Sequence, residues 1–342
     1  MRCTLLISDL LLPSGTGSEP YQDLRLPVLE MLLARGAQVR QPALERDAWL
    51  CSAFGVARQR DWPVAPLTLA ADGVEPQHHY WLRADPIELR LQRNRLVLAR
   101  VASDLDAVEA RELVAALNRH FARDGIAWLA PIPGRWYLRL DRAPGITTTP
   151  LARAVNRDVE QHLPRGDAAL DWHRVINEVQ MVLHEHAINE ARAARGAAIV
   201  NSVWLWGGGT APAVGSPLYH SVWGGDALSG SLAAAAGITQ HELAASGTAW
   251  LAMAGAADQH HLLVYDGLAD ALRTGGIADW REQLAVLERD WMAPLASALR
   301  AQKIQALTLV AGSGDGLLEV ALTPASWWRL WRRSRPLFSY AG

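Results

Sequence analysis

A chain of 342 residues, half of them hydrophobic and a fifth charged, can build one large domain with an insertion, or two domains, around a sizeable core. Its formal charge of -2 gives no electrostatic reason to expect bulk binding to nucleic acid or to an anionic membrane. Two cysteines, Cys3 and Cys51, are too few for a disulfide framework and wrongly spaced for a zinc knuckle, so both read as small buried hydrophobes in a reducing compartment.

The opening MRCTLLISDLLLP has one arginine and an apolar run, but Ser8 and Asp9 interrupt it and no small-residue cleavage site follows. It does not read as a signal peptide, and no apolar stretch is long enough to span a bilayer, so a cytoplasmic protein is expected. Cys3 to Ser8 is a continuous apolar run ending at Asp9, the pattern of a buried parallel strand with a polar residue at its carboxyl end. After the loop PSGTGSEP, Leu24 to Gly36 has helical spacing and closes on glycine. This strand–loop–helix opening is typical of α/β folds.

From about Pro63 to Leu140 the character changes. HHYWLRADPIELRLQRNRLVLAR, His78 to Arg100, alternates apolar and polar residues like antiparallel strands. Asp104 to Phe121 reads as an amphipathic helix with Asp104 as its cap, and GRWYLRL as a further strand. Ala168 to Arg195 reads as one long helix ended by Gly196, followed by the strand VNSVWLW and a glycine turn, Gly207 to Gly209. LSGSLAAAAG and Asp279 to Arg300 read as helices, and HHLLVYD, IQALTLVAG and LLEVALTP as strands. The C-terminal WWRLWRRSRP reads as a packed final helix with an arginine-coated face, although three tryptophans beside four arginines could also stack on bases or sit at a membrane surface.

Few motifs carry chemistry on spacing alone. GGG after a strand could bring backbone amides to a phosphate, but it is not a dinucleotide fingerprint, and a tight turn is the simpler reading. His184 and His186, two apart on a helix, point to different faces and cannot share an ion; His78–His79 and His260–His261 each split across a strand. Asp9 and Asp266 end strands, where ligands of α/β proteins sit, and two such carboxylates could hold a divalent cation.

The segment LPRGDAALDWHRVINEVQMVLHEHAINEARAARGAAIVNSVWLWGGGTAP resembles the archaeal-type cofactor-independent phosphoglycerate mutases of the alkaline-phosphatase superfamily. His186, Asn189, Arg192, Asn201, Trp204, Trp206, Gly207 and Gly209 match a helix with HxxN and an arginine, leading into a strand of the form NxxWLWGxG. The match is firm from about Pro164 to Leu251, and HHYWLRADPIELR echoes a strand of the family's inserted domain. Over nearly its whole length the chain resembles the RpfE-type regulatory proteins, themselves mutase-like. The resemblance implies an alkaline-phosphatase-like α/β core, 1–62 and 150–342, with a mostly parallel sheet flanked by helices and an inserted α+β subdomain, 63–149. It also implies ligand binding by His186, Asn189, Arg192, Asn201, Trp206, Gly207 and Gly209, and residual metal ligands at Asp9, Asp266 and Asp315.

The chain departs from the family where the metals bind. Asp9 precedes Leu10 instead of glycine; Asp266 and Asp270 stand without the expected histidine; Asp315 lacks one too, and no histidine follows His261. A dinuclear phosphotransferase needs both ions to bind phosphate and generate its nucleophile. The expectation is therefore a non-catalytic regulatory or ligand-binding protein with no cofactor, whose partner is a small phosphorylated ligand or a protein and not nucleic acid. The alternative is a metal-dependent (Mn, Zn or Mg) mutase or phosphatase; a third reading is an interaction module using the Trp/Arg tail.

Overall fold

The apolar run at the start of the chain becomes the strand Arg2–Ile7, buried along all but its first residue and hydrogen-bonded on both edges. In the computed structural model, which describes residues 1–13, 15–42, 44–216, 218–255, 258–313 and 316–341, this strand lies inside a seven-stranded sheet. The order across the sheet is Thr239–His241, Ser221–Gly224, His260–Tyr265, Arg2–Ile7, Ala306–Ser313, Gly316–Leu322 and Ala37–Pro42. The first four pairings are parallel and the last two antiparallel, so only Gly316–Leu322 runs against the rest. Leu5 faces Leu263 on one side and Leu309 on the other, the unbroken apolar layer of a sheet covered by helices. The chain is thus an α/β protein with a mostly parallel sheet flanked by helices, as the sequence leads one to expect.

Two compact units divide the chain: residues 1–55 with 214–342, and residues 56–213. The second unit is larger than the 63–149 subdomain expected from the sequence. It extends to 213 because the strand Ser202–Gly209 pairs antiparallel along the long strand Tyr80–Gln92. The helix Ala169–His184 belongs with it, burying Trp172, Ile176, Val179 and Leu183 in a core shared with Leu113, Leu117, Trp136 and Leu205. Strands Arg95–Val101, Ile126–Ile132 and Arg135–Leu140 complete this antiparallel sheet. The hairpin between Gln92 and Arg95 turns on Arg93 and Asn94, both with positive φ (47° and 65°).

Several local expectations shift. The helix begun near Asp104 runs Ala107–His120, and Asp106 caps it through a reciprocal capping box with Glu109. Asp104 instead accepts a bond from Arg192. The expected long helix breaks in two, Ala169–His184 and Ala187–Ala194, with His186 as the cap of the second. Gly207–Gly209 belong to the strand and not to a turn. The tail forms two short 3₁₀ turns, Pro324–Trp328 and Leu337–Tyr340, and no final helix.

In the first unit, helices Gly276–Leu287 and Ala293–Arg300 are joined by a π-helical turn, Glu288–Met292. The Glu288 carboxylate accepts from the backbone N–H groups of Val28 (2.7 Å) and Leu29 (2.9 Å), capping the helix Pro27–Arg35, whose leading Leu26 offers no side-chain cap. Among the described residues, no helix is long and apolar enough to cross a membrane.

Candidate functional site

Parallel strands that start together also end together, and their carboxyl ends gather the polar residues following each apolar run. Ser8 and Asp9 follow Arg2–Ile7, Asp226 follows Ser221–Gly224, and Asp266 follows His260–Tyr265. Beyond Ala37–Pro42, which runs in the same direction, the helix Arg46–Ala53 begins with Arg46 and Asp47.

Arg46 is the centre of this group. Its Nη1 lies 3.0 Å from Asp47 Oδ1 and 3.1 Å from Asp226 Oδ2, its Nη2 3.0 Å from Asp266 Oδ2, and its Nε donates to Ser8 Oγ at 3.0 Å. The Ser8 hydroxyl in turn donates to Asp266 Oδ1 at 2.5 Å. Asp226 divides its carboxylate: Oδ2 takes the guanidinium, while Oδ1 accepts from the Leu228 and Ser229 N–H groups and caps the helix Ala227–Ala235. A planar guanidinium with a fork of donors can serve several oxygens at once, which a lysine ammonium on its flexible stem does less well.

The electrostatics follow from this arrangement. Burial acts to lower the Arg46 pKa, but the charges of Asp226, Asp266 and Asp47 outweigh it and raise it further, so the guanidinium stays charged. Burial raises the Asp226 carboxyl, yet Arg46 and the Ser229 amide prevail and hold it below the ordinary carboxylate range. Asp47 is pushed up, first by burial, against the pull of Arg46. Asp9 is pushed up by burial and then by the Asp266 charge. Asp9 also adopts a left-handed backbone (φ 54°), a conformation that aspartate tolerates better than most residues. The indole of Trp280 donates to its carbonyl at 2.8 Å.

These residues do not fit a divalent metal centre. A metal would need carboxylates or imidazoles converging on an open point, and Asp266 and Asp226 instead converge on an organic cation. Among the described residues, no set of three His, Cys, Asp or Glu side chains is placed to hold an ion. Asp270 pairs with Arg273 on an exposed helix face, away from the cluster's hydrogen bonds. Asp315 lies outside the described residues.

The ligand-binding residues implied by the mutase resemblance lie in the second unit, where Asn189, Arg192, Asn201 and Trp206 bond to protein partners. His186 Nδ1 accepts from the Ile188 N–H at 3.4 Å. The Asn189 amide is buried, donating to the Leu183 and Val200 carbonyls and accepting from the Val200 N–H. Arg192, wholly buried, bonds the Ala198 carbonyl (2.6 Å), Glu109 (2.6 Å) and Asp104 (2.5 Å). Asn201 clasps both backbone groups of Leu89. Trp206 donates to the buried Asp85 at 2.6 Å under the guanidinium of Arg83, itself paired with Asp85. Gly207 and Gly209 let the segment Pro63–Val64 approach: a Cβ would lie 3.0 Å from Val64 Cβ and 2.6 Å from Pro63 Cβ respectively.

Reading strand ends finds Asp9 and Asp266; the same rule applied to SVWGGD would have found Asp226. Nothing in the sequence marks Arg46, which arrives from a helix start and acts only through three-dimensional convergence.

The sequence is similar to a probable 2,3-bisphosphoglycerate-independent phosphoglycerate mutase of Geobacter sulfurreducens, 30% identical over 166 residues, which cover 47% of this chain and 40% of that protein. A 2,3-bisphosphoglycerate-independent phosphoglycerate mutase of Methanothrix thermoacetophila is 34% identical over 76 residues, 22% of this chain and 19% of its own length. The alignments thus span less than half of these relatives, and the relation is a distant homology to cofactor-independent phosphoglycerate mutases over part of the chain. Among solved structures, the PH0037 protein of Pyrococcus horikoshii shares the fold, with a TM-score of 0.54, 16% identity, and coverage of 94% of this chain and 87% of that one. No protein-family model matches the sequence.

Proposed function

We propose that this chain is a non-catalytic regulatory or ligand-binding protein on a phosphoglycerate-mutase-like scaffold, working without a metal cofactor. One observation carries the reading: the guanidinium of Arg46 stands among Asp47, Asp226, Asp266 and Ser8, where a phosphotransferase of this scaffold would need its cations. A resident organic cation neutralises the carboxylates but cannot polarise a phosphoryl group as a metal ion does, nor lower the pKa of a bound water. The partner is a small phosphorylated ligand or a protein, and two buried free cysteines suit a reducing, cytoplasmic setting. The test combines metal analysis of the purified protein with a phosphoglycerate mutase assay in added manganese. Neither bound metal nor turnover is expected; two metal equivalents with turnover abolished by Asp9→Ala would overturn the proposal.

A second reading, a metal-dependent mutase or phosphatase, draws on the 166-residue similarity to the Geobacter protein and on the short Ser8–Asp266 hydrogen bond. It requires Arg46 to leave the carboxylates when a metal enters. Manganese titration should then shift the protein's melting temperature, and an unmoved melting temperature at millimolar-scale metal sinks it.

A further inference from the structure

The tail from Trp327 to Arg335 carries a surface that the site above does not use. It is held firmly on the helix Pro27–Arg35. Arg329 and Arg332 donate to the carbonyls of Arg35 (3.1 Å) and Gly36 (2.6 Å) at the helix C-terminus, the end that attracts cations. Arg35 returns a bond to the Trp327 carbonyl at 3.0 Å, and the guanidinium groups of Arg35 and Arg300 both lie over the Trp327 ring, 5.5 and 5.3 Å from its centroid. Trp327 is therefore an anchor. Its neighbours are not: Trp328, Leu330 and Trp331 stand 73%, 65% and 76% exposed, three large apolar side chains within four residues. Single exposed hydrophobes need no explanation, but three within four residues do.

The charge around them is one-sided. Trp331, Arg332, Arg333 and Arg335 line an open cavity of about 650 Å³ against Gln38 and Tyr340. From Val320 to Gly342 the sequence holds four arginines and no acidic residue, within a chain whose total is -2. The Glu30 carboxylate, which acts on Tyr340, is engaged by the Leu337 N–H at 3.0 Å. Net charge alone conceals this local patch.

We propose that this face docks on an anionic lipid surface, with Trp328, Leu330 and Trp331 entering the headgroup layer and Arg333 and Arg335 meeting lipid phosphates. Tryptophan beside arginine is the composition of bilayer interfaces, where an amphipathic ring and a weakly hydrated cation are both at home. Leucine between the tryptophans suits acyl chains and offers nothing for base stacking, which needs planar rings. Attachment of this kind is peripheral and reversible.

The test is flotation of the full chain with vesicles of phosphatidylcholine alone and of phosphatidylcholine mixed with phosphatidylglycerol. Binding is expected only to the mixed vesicles, weakening with added salt. Arg333→Gln and Arg335→Gln should each reduce it about fivefold, and Trp328→Ser with Trp331→Ser should abolish it. All four side chains lie outside the cores, so circular dichroism should show unchanged folds. No binding to mixed vesicles, equal binding by the variants, or capture of a single-stranded oligonucleotide or polyglutamate in place of vesicles would overturn the proposal.

Discussion

Each unit of this protein ties an arginine to several carboxylates, and the two clusters put the same chemistry to different uses. Arg192 is sealed: its guanidinium spans Glu109, Asp104 and the Ala198 carbonyl, joining a helix start to the turn after Ala187–Ala194. Arg46 is half-open: it stands at the carboxyl ends of parallel strands among Ser8, Asp47, Asp226 and Asp266, with Asp226 exposed to solvent. The first cluster pins backbone. The second occupies ground where an α/β sheet places its ligands. An arginine's role is thus set by what surrounds its cluster, and residue type alone cannot separate the two.

The contrast can be broken most forcefully at Arg192. Arg192→Met should cost about 3 kcal/mol, because it leaves Glu109 with Arg195 as its remaining arginine partner and the Ala198 carbonyl without its guanidinium donor. Urea denaturation measures it, and a loss under about 1 kcal/mol would remove the structural role. Arg46→Ala should cost less, about 2 kcal/mol, since water can reach the carboxylates it abandons. Its signature is different: manganese should raise the melting temperature of Arg46→Ala and leave that of the parent and of Arg192→Met unchanged. Equal responses in all three would erase the distinction.

Gly208→Ala probes whether the WLWGGG strand belongs with the packed pins. A Cβ there would sit 2.5 Å from the Tyr80 hydroxyl and 2.7 Å from Leu82 Cδ2. Overpacking of about 1–2 kcal/mol is expected in calorimetry; an unaltered stability would place these glycines at an open, ligand-ready surface. The last effect concerns pH. Burial, followed by the charges of Arg2, His261 and His220, pushes His260 down to about 4 from its ordinary 6.5. Between those values the unfolded chain holds a proton that the folded chain does not, so stability rises with pH across the window and is lost as pH falls from 6.5 towards 4. Melting temperatures measured between pH 7 and 4.5 should decline, and His260→Gln should flatten the decline.

The fold is largely legible in the sequence because its signals are local. Continuous apolar runs at Arg2–Ile7 and His260–Tyr265 can hide only in a covered sheet, and alternation through Tyr80–Gln92 marks an antiparallel strand. Boundaries are less so: nothing near His184 announces a helix break, since Glu185 and His186 are tolerated in helices and the stop comes from His186 capping the next one. The unit boundary escapes a local reading because the pairing of Ser202–Gly209 with Tyr80–Gln92 joins residues more than a hundred positions apart. The site is half legible. Asp9 and Asp266 follow from strand-end position, whereas Arg46 carries no local pattern, and the residues most like the mutases, Asn189, Arg192 and Asn201, hold backbone in place.

The π-helical turn Glu288–Met292 sets a reading frame for the downstream helix. Such a turn accommodates one residue beyond the α-helical repeat, so the helix Ala293–Arg300 resumes with its phase reset. Leu295 and Leu299 then fall on the same core as Leu284 and Leu287. Deleting one residue here, for instance the exposed Arg289, would let the helix close as an ordinary α-helix. Because the widened turn absorbs that residue, Leu295 and Leu299 would keep their angular position on the core, whereas a residue lost from the α-helical stretch on either side would rotate everything beyond it by about 100°. The turn is therefore the place where this helix can lose a residue without turning its core face, and the α-helical stretches that flank it are not.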